Sequence, residues 1–278
     1  MQKLLNIVMG AAFLALIFVC ESSAQVDRRH DKVARLSPEA AQECWREFSS
    51  AKIAADYCMA FKLTHIPRKA KETVYKGVIY GAASGDKAFT RLRVYNPEKN
   101  SEICDFIMEL SPNDSKVWKS EGGKFIEIDK KDWAKPIGEG LIYSPVEILM
   151  PYKFWKAQYE GPGRIGQAVH FFTLTPPGNE SVNGISKVRI ALTREFNSPA
   201  QMEFFDENGN LSKTMSLGSV KKVDGLWIML EASVRQESTR DKDKLRFEAA
   251  KMRANLDKKT FNPSIPAENP PIIDLKPL

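Results

Sequence analysis

Histidine and cysteine are scarce: the 278 residues hold three of the first and four of the second. His30, His65 and His170 are scattered, and Cys20, Cys44, Cys58 and Cys104 lack zinc-ligand spacing, so no metal site is expected. No serine sits in a G-x-S-x-G elbow, and no cysteine has a catalytic context. Past residue 24 no apolar run reaches the roughly 20 residues that a membrane-spanning helix needs. The 41 basic and 35 acidic residues leave a net charge of +6 without a clustered basic stripe, which argues against a nucleic-acid partner. No linker-like stretch interrupts residues 37–262. The expectation is one non-enzymatic, monomeric domain without cofactor.

The amino terminus sets the compartment. Lys3 precedes the uncharged run 7–20, and Ser22-Ser23-Ala24 offers the small residues that a signal peptidase reads, leaving Gln25 first. Phe18 and Val19 are too bulky for Cys20 to be a lipidation site. Residues 1–24 carry one lysine (Lys3) and one acid (Glu21), so their removal leaves the charge at +6. An exported chain with Cys44, Cys58 and Cys104 is expected to form one disulfide and keep one buried thiol, with the pairing open. Residues 25–36 read as a flexible lead-in.

Element signals follow in order. Ser37-Pro38-Glu39 is a helix start, a capping serine before a first-turn proline and acid. Tyr57, Met59, Phe61 and Leu63 alternate with more polar residues as a first strand. Val74–Tyr80, Phe89–Tyr95 and Cys104–Leu110 read as the next three, with a loop at 81–86, and two short strands surround Val117 and Phe125. Ser144-Pro145-Val146-Glu147 opens a helical turn, followed by the aromatic patch Leu149, Tyr152, Phe154 and Trp155. After a strand at 169–175, residues 187–235 form an antiparallel meander, with turns at Asn208-Gly209 and Asp224-Gly225. A last strand at 244–256, a closing turn at 257–261 and a proline-rich tail (263–278) complete about ten strands and two helical regions.

Several motifs have bland readings. Gly161-Pro162-Gly163-Arg164-Ile165-Gly166 matches G-x-G-x-x-G, but no strand–glycine–helix order surrounds it and Pro162 removes an amide, so it reads as a loop. Asn179-Glu180-Ser181 fits a glycosylation acceptor by chance. Asp129 and Asp132 flank Lys130-Lys131 as a solvated turn. Arg91 and Arg93 alternate with Leu92 and Val94, either as an exposed strand face or turned to bond a covering helix.

This order of elements is similar to that of the outer-membrane lipoprotein-sorting proteins, the LolA-like superfamily. The likeness covers about residues 40–262. It is carried by the opening helix and the hairpin 57–80, by Leu141-Ile142-Tyr143-Ser144-Pro145-Val146-Glu147-Ile148-Leu149, and by Phe205-Asp206-Glu207-Asn208-Gly209-Asn210-Leu211 with Lys222-Val223-Asp224-Gly225-Leu226-Trp227. The resemblance implies an α+β fold: a curved antiparallel sheet, an incomplete β-barrel, with its concave face covered by helices. It also implies a periplasmic carrier that takes lipid, or the acyl chains of lipoproteins, from an inner-membrane donor complex to an outer-membrane acceptor. Phe61, Leu63, Leu92, Val94, Phe106, Met108, Leu149, Tyr152, Phe154 and Trp155 are then candidates to line the lipid cavity, with ordinary core packing the open alternative for each. Arg91 or Arg93 would lock the lid. The same scaffold also admits a periplasmic sensor or interaction module that binds a membrane regulatory or transport partner.

Overall fold

The computed structural model describes residues 33–278 except 54, 100, 180, 181, 183, 268, 269, 271 and 272. The expected signal peptide, His30, most of the 25–36 segment, and Glu180 and Ser181 lie outside the described residues.

Helix α1 (Pro38–Ser50) begins as its sequence dictates. The Ser37 hydroxyl accepts from the Ala40 amide (3.2 Å) ahead of a first-turn proline, and one face buries Ala41, Cys44 and Phe48. Strands β1 (Tyr57–Ile66), β2 (Thr73–Ser84), β3 (Lys87–Asn96), β4 (Ser101–Leu110), β5 (Lys116–Glu121) and β6 (Lys124–Glu127) then follow as a meander. The second half holds β7 (Lys156–Ile165), β8 (Gln167–Thr175), β9 (Lys187–Thr193), β10 (Pro199–Phe205) and β11 (Leu211–Leu217). A separate two-stranded ribbon, β12 (Val220–Val223) and β13 (Leu226–Met229), leads into β14 (Glu231–Gln236), β15 (Lys242–Met252) and the two-residue β16 (Lys276–Pro277).

All but the ribbon form one antiparallel sheet in the order β6-β5-β4-β3-β2-β1-β15-β14-β11-β10-β9-β8-β7, with β16 beside β15. The edge strands β6 and β7 do not pair with each other, so the sheet stays open. The chain crosses between those edges through residues 128–155, which contain the short helix α2 (Pro145–Leu149) flanked by 3-10 turns at Lys130–Asp132 and Pro151–Phe154. All five residues of α2 are buried.

The position of α2 shows that the sheet bends. It packs against β4, and its Glu147 also meets Lys213 of β11 at 2.8 Å. Those strands are six places apart, roughly 29 Å on a flat sheet, far beyond a helix about 10–12 Å across. The two halves of the sheet therefore curl round the connection, and one apolar core joins residues from both halves with α1 and α2. The cover is thinner in helix than the resemblance implies: α2 is five residues long, and much of 128–155 is irregular.

Several expectations need correction. The strands outnumber the expected ten, because β7, β12, β14 and β16 carry weak signals, and the last long strand runs Lys242–Met252 rather than 244–256. Gly161-Pro162-Gly163 is not a loop but the middle of β7. As an edge strand, β7 pairs on one side only and tolerates a proline. The Phe171 ring lies 2.4 Å from where a Gly163 Cβ would stand. Residues 81–84 belong to β2 rather than to a loop. Cys44, Cys58 and Cys104 are all free thiols instead of one disulfide and one thiol. Cys44 sits on α1 and Cys104 on β4 within the main core, whereas Cys58 faces a second cluster on the other side of β1.

Candidate functional site

The inward row of β1 is the alternation Tyr57, Met59, Phe61, Leu63 and His65, and β15 answers it residue for residue. Phe61 pairs with Phe247, Leu63 with Leu245, and His65 with Asp243. On the other side of β1, Tyr57 lies opposite Gly81 and Phe61 opposite Gly77. Both glycines make room for an aromatic ring: a Cβ at Gly81 would stand 2.0 Å from the Tyr57 ring, and one at Gly77 2.2 Å from that of Phe61.

Between this row and the connection lies a wholly apolar cavity. Phe61, Leu63, Ile79, Leu92, Leu245 and Phe247 form its sheet side, and Ile137, Tyr143 and Ile148 its cover. Its volume is about 10 Å³, room for roughly one water molecule. The structure is thus a closed form, with the cover resting on the sheet.

The cover is fastened at one end of the cavity by charge. The Asp243 carboxylate, with no exposed surface, accepts from the Ile142 amide (2.6 Å) and the Tyr143 amide (3.1 Å) through Oδ2, and from His65 Nδ1 (2.7 Å) through Oδ1. Burial pushes its pKa above the ordinary carboxylate value, and these hydrogen bonds pull the other way. Glu147, also buried, accepts from the Ser144 amide (2.7 Å) and the Ser144 hydroxyl, closing a capping box on α2. Lys213 of β11 bonds Glu147 Oε1 (2.8 Å) and the Ile142 carbonyl (3.2 Å). Two strands of the sheet, β15 and β11 with β14 between them, therefore hold residues 142–147 through two buried carboxylates.

Of the residues expected from the sequence, Phe61, Leu63 and Leu92 line the cavity. Val94, Phe106, Met108, Leu149, Tyr152 and Trp155 are buried in the same core but do not line it, and Phe154 packs at its margin. Tyr152 donates to Met202 Sδ (3.0 Å) and stands edge-on to Phe204 and Trp155, which anchors the far end of the cover to β10.

Arg91 and Arg93 lie on the opposite face from Leu92, and the bonds described for them go to β4 and the 257–262 turn rather than to the cover. Arg91 pairs with Asp105 on β4 (2.6 Å) and donates to the Thr260 carbonyl (3.3 Å), and Arg93 bonds Glu102. Their outward setting follows from period two: Leu92 and Val94 take the core, so their neighbours take the other side. The fastening residues Asp243, Glu147 and Lys213 were not foreseen. His65 alone had a signal, as the fifth member of the alternating row.

No described helix is long and apolar enough to cross a membrane. No curated protein matches the chain. A family model described only as that of an uncharacterized protein matches residues 154–265. Among solved structures, the chain resembles a domain from Vibrio parahaemolyticus described as outer membrane lipoprotein-sorting (TM-score 0.67, 15% identity, covering 81% of this chain and 95% of that one). It also resembles a DUF1329 family protein from Desulfovibrio piger (0.70, 11%, 81% and 96%). A LolA superfamily protein from Nitrosomonas europaea is similar as well (0.61, 14%, 80% and 97%).

Proposed function

With the fold of the LolA superfamily as the premise, we propose that this protein is a periplasmic carrier that shelters lipid, or the acyl chains of lipoproteins, between its curved sheet and the 128–155 cover. The observation that carries this reading is the apolar cavity walled by Phe61, Leu63, Ile79, Leu92, Leu245 and Phe247 beneath a cover that is fastened at discrete points. Each methylene moved from water into such a wall contributes about 0.8 kcal/mol, so an acyl chain is held by enclosure rather than by polar contacts.

A 10 Å³ void admits no chain, and loading requires the cover to lift from the sheet. Its construction suits that motion. A five-residue helix and two 3-10 turns lift as a strap without breaking any sheet ladder, since past Ile128, whose amide donates to the Val117 carbonyl, the described hydrogen bonds between cover and sheet each use a side chain. Export by the 1–24 segment, collection from an inner-membrane donor and delivery to an outer-membrane acceptor complete the proposal.

Titration of the detergent-free protein with a fluorescent acyl probe tests it. Saturable uptake at one site, with loss of amide protection at Ile142 and Tyr143 as the probe enters, is expected. A protein that never takes up the probe while those amides stay protected would contradict it.

A further inference from the structure

The end of the cover away from Asp243 holds an unexplained pair of charges. Lys153, in the turn Pro151–Phe154, is buried with 7% of its surface exposed. Its ammonium carries three donors, yet its one hydrogen bond is a 3.5 Å contact to the Ala51 carbonyl at the end of α1, with the Phe154 ring 5.2 Å away. Half-buried Lys52 stands beside it and bonds the Gly85 carbonyl in the β2–β3 turn (2.7 Å). Among the described residues, no carboxylate pairs with either lysine. Burial and the like charge of Lys52 push the Lys153 pKa down to about 8.

Helix capping does not account for this arrangement. A cation at the end of α1 interacts favourably with its carbonyls from a solvated position too, whereas burying an ammonium with two donors unused is costly. A second cation beside the first adds repulsion. An anion between the two removes both penalties, since charge-assisted hydrogen bonds to a phosphate or carboxylate are the strong ones.

The location gives the anion a meaning. Lys153 is five residues beyond the cavity-lining Ile148 on the same cover, and Ala51-Lys52 lies just ahead of β1, whose inward row forms the cavity floor. We propose that Lys52 and Lys153 form an anion-binding site that takes the phosphate or carboxylate head of an amphiphile whose chains lie under the cover. The assignment of the head to a lipid rests on the carrier reading; the anion site itself does not.

Calorimetric titration of the mature protein with inorganic phosphate, and separately with oleate and oleyl alcohol, tests it in the wild type, K153M and K52M. Phosphate should bind the wild type, and oleate should bind about tenfold or more tighter than the alcohol, the range of a charge-assisted bond. K153M should abolish phosphate binding and level the two amphiphiles while leaving oleyl alcohol within about twofold. Should K153M not fold, K52M, at a half-exposed position, should weaken both anions in the same direction. Phosphate binding that depends on Lys153, with neither amphiphile bound, would keep the anion site as one for free phosphate and would sink the carrier reading instead. Equal binding of oleate and oleyl alcohol with no phosphate binding, or anion binding indifferent to both substitutions, would overturn the site.

Discussion

Asp243 and His65 face each other across neighbouring strands, 2.7 Å apart, at the point where an otherwise apolar row meets the cover. Oδ2 of the same carboxylate holds two amides of the cover, Ile142 and Tyr143. One side chain thus joins the sheet to its cover, beside the second fastening made by Lys213 and Glu147.

Asp243→Ala removes the acceptor of all three hydrogen bonds and leaves the Ile142 and Tyr143 amides without their partner, at a cost of about 2–6 kcal/mol. Denaturant unfolding should show the loss, and hydrogen exchange should show it concentrated at Ile142 and Tyr143. Uptake of an acyl probe should become faster. Unchanged exchange at those amides would remove Asp243 from this role.

Arg91→Ala separates this fastening from the one that the family resemblance implied. Removal of Arg91 leaves Asp105 buried with Arg93 Nε at 3.3 Å as partial compensation, costing about 3 kcal/mol. Because Arg91 also holds the Thr260 carbonyl, the 257–262 turn should lose exchange protection while Ile142 and Tyr143 keep theirs. Deprotection of the cover instead would restore a lid role to Arg91.

Gly77→Ala drives a methyl group into the Phe61 ring and against the Arg93 carbonyl, 2.6 Å from the new Cβ. Overpacking of this kind costs about 1–3 kcal/mol. The displaced ring should enter the cavity, so acyl-probe affinity should fall by more than any change in stability explains, read by calorimetry beside thermal unfolding.

Lys153 gives a pH signature of opposite sign to that of an ion-paired lysine. Its pKa is lowered from the ordinary 10.5 to about 8, so between those values the unfolded chain binds more protons and stability rises with pH. The penalty is present in full below pH 8 and relieved by pH 10.5, on the order of 3 kcal/mol. Lys153→Met should abolish that alkaline gain, as comparison of denaturation midpoints at pH 7.5 and 10 would show. A wild type that loses stability over this range as fast as K153M does would contradict the burial of an unpaired ammonium.

Much of the sheet was legible because period-two alternation is strong where one face is buried, as in Tyr57–Leu63, 89–95 and 187–193. The parts that were not have specific reasons. In β7, Gly161-Pro162-Gly163 reads as a breaker, and only its place at the sheet edge lets it be a strand. The ten residues expected to line the cavity are large apolar side chains, six on alternating strand rows and four in the aromatic patch 149–155, and core and cavity walls share that character equally. Leu245 and Phe247 come close to them only through the pairing of β15 with β1, strands distant in sequence, whereas Ile79 sits in the expected hairpin opposite Leu92. The fastening was invisible for a similar reason: Asp243 acts on backbone amides about a hundred positions away, and an amide leaves no mark in a sequence.

The most direct test is mass spectrometry of organic extracts from the mature protein, purified without detergent from its own compartment. A stoichiometric amphiphile, a phospholipid or an acylated peptide, is expected, and its head should be anionic. Protein that extracts empty and also excludes an acyl probe would contradict the carrier function.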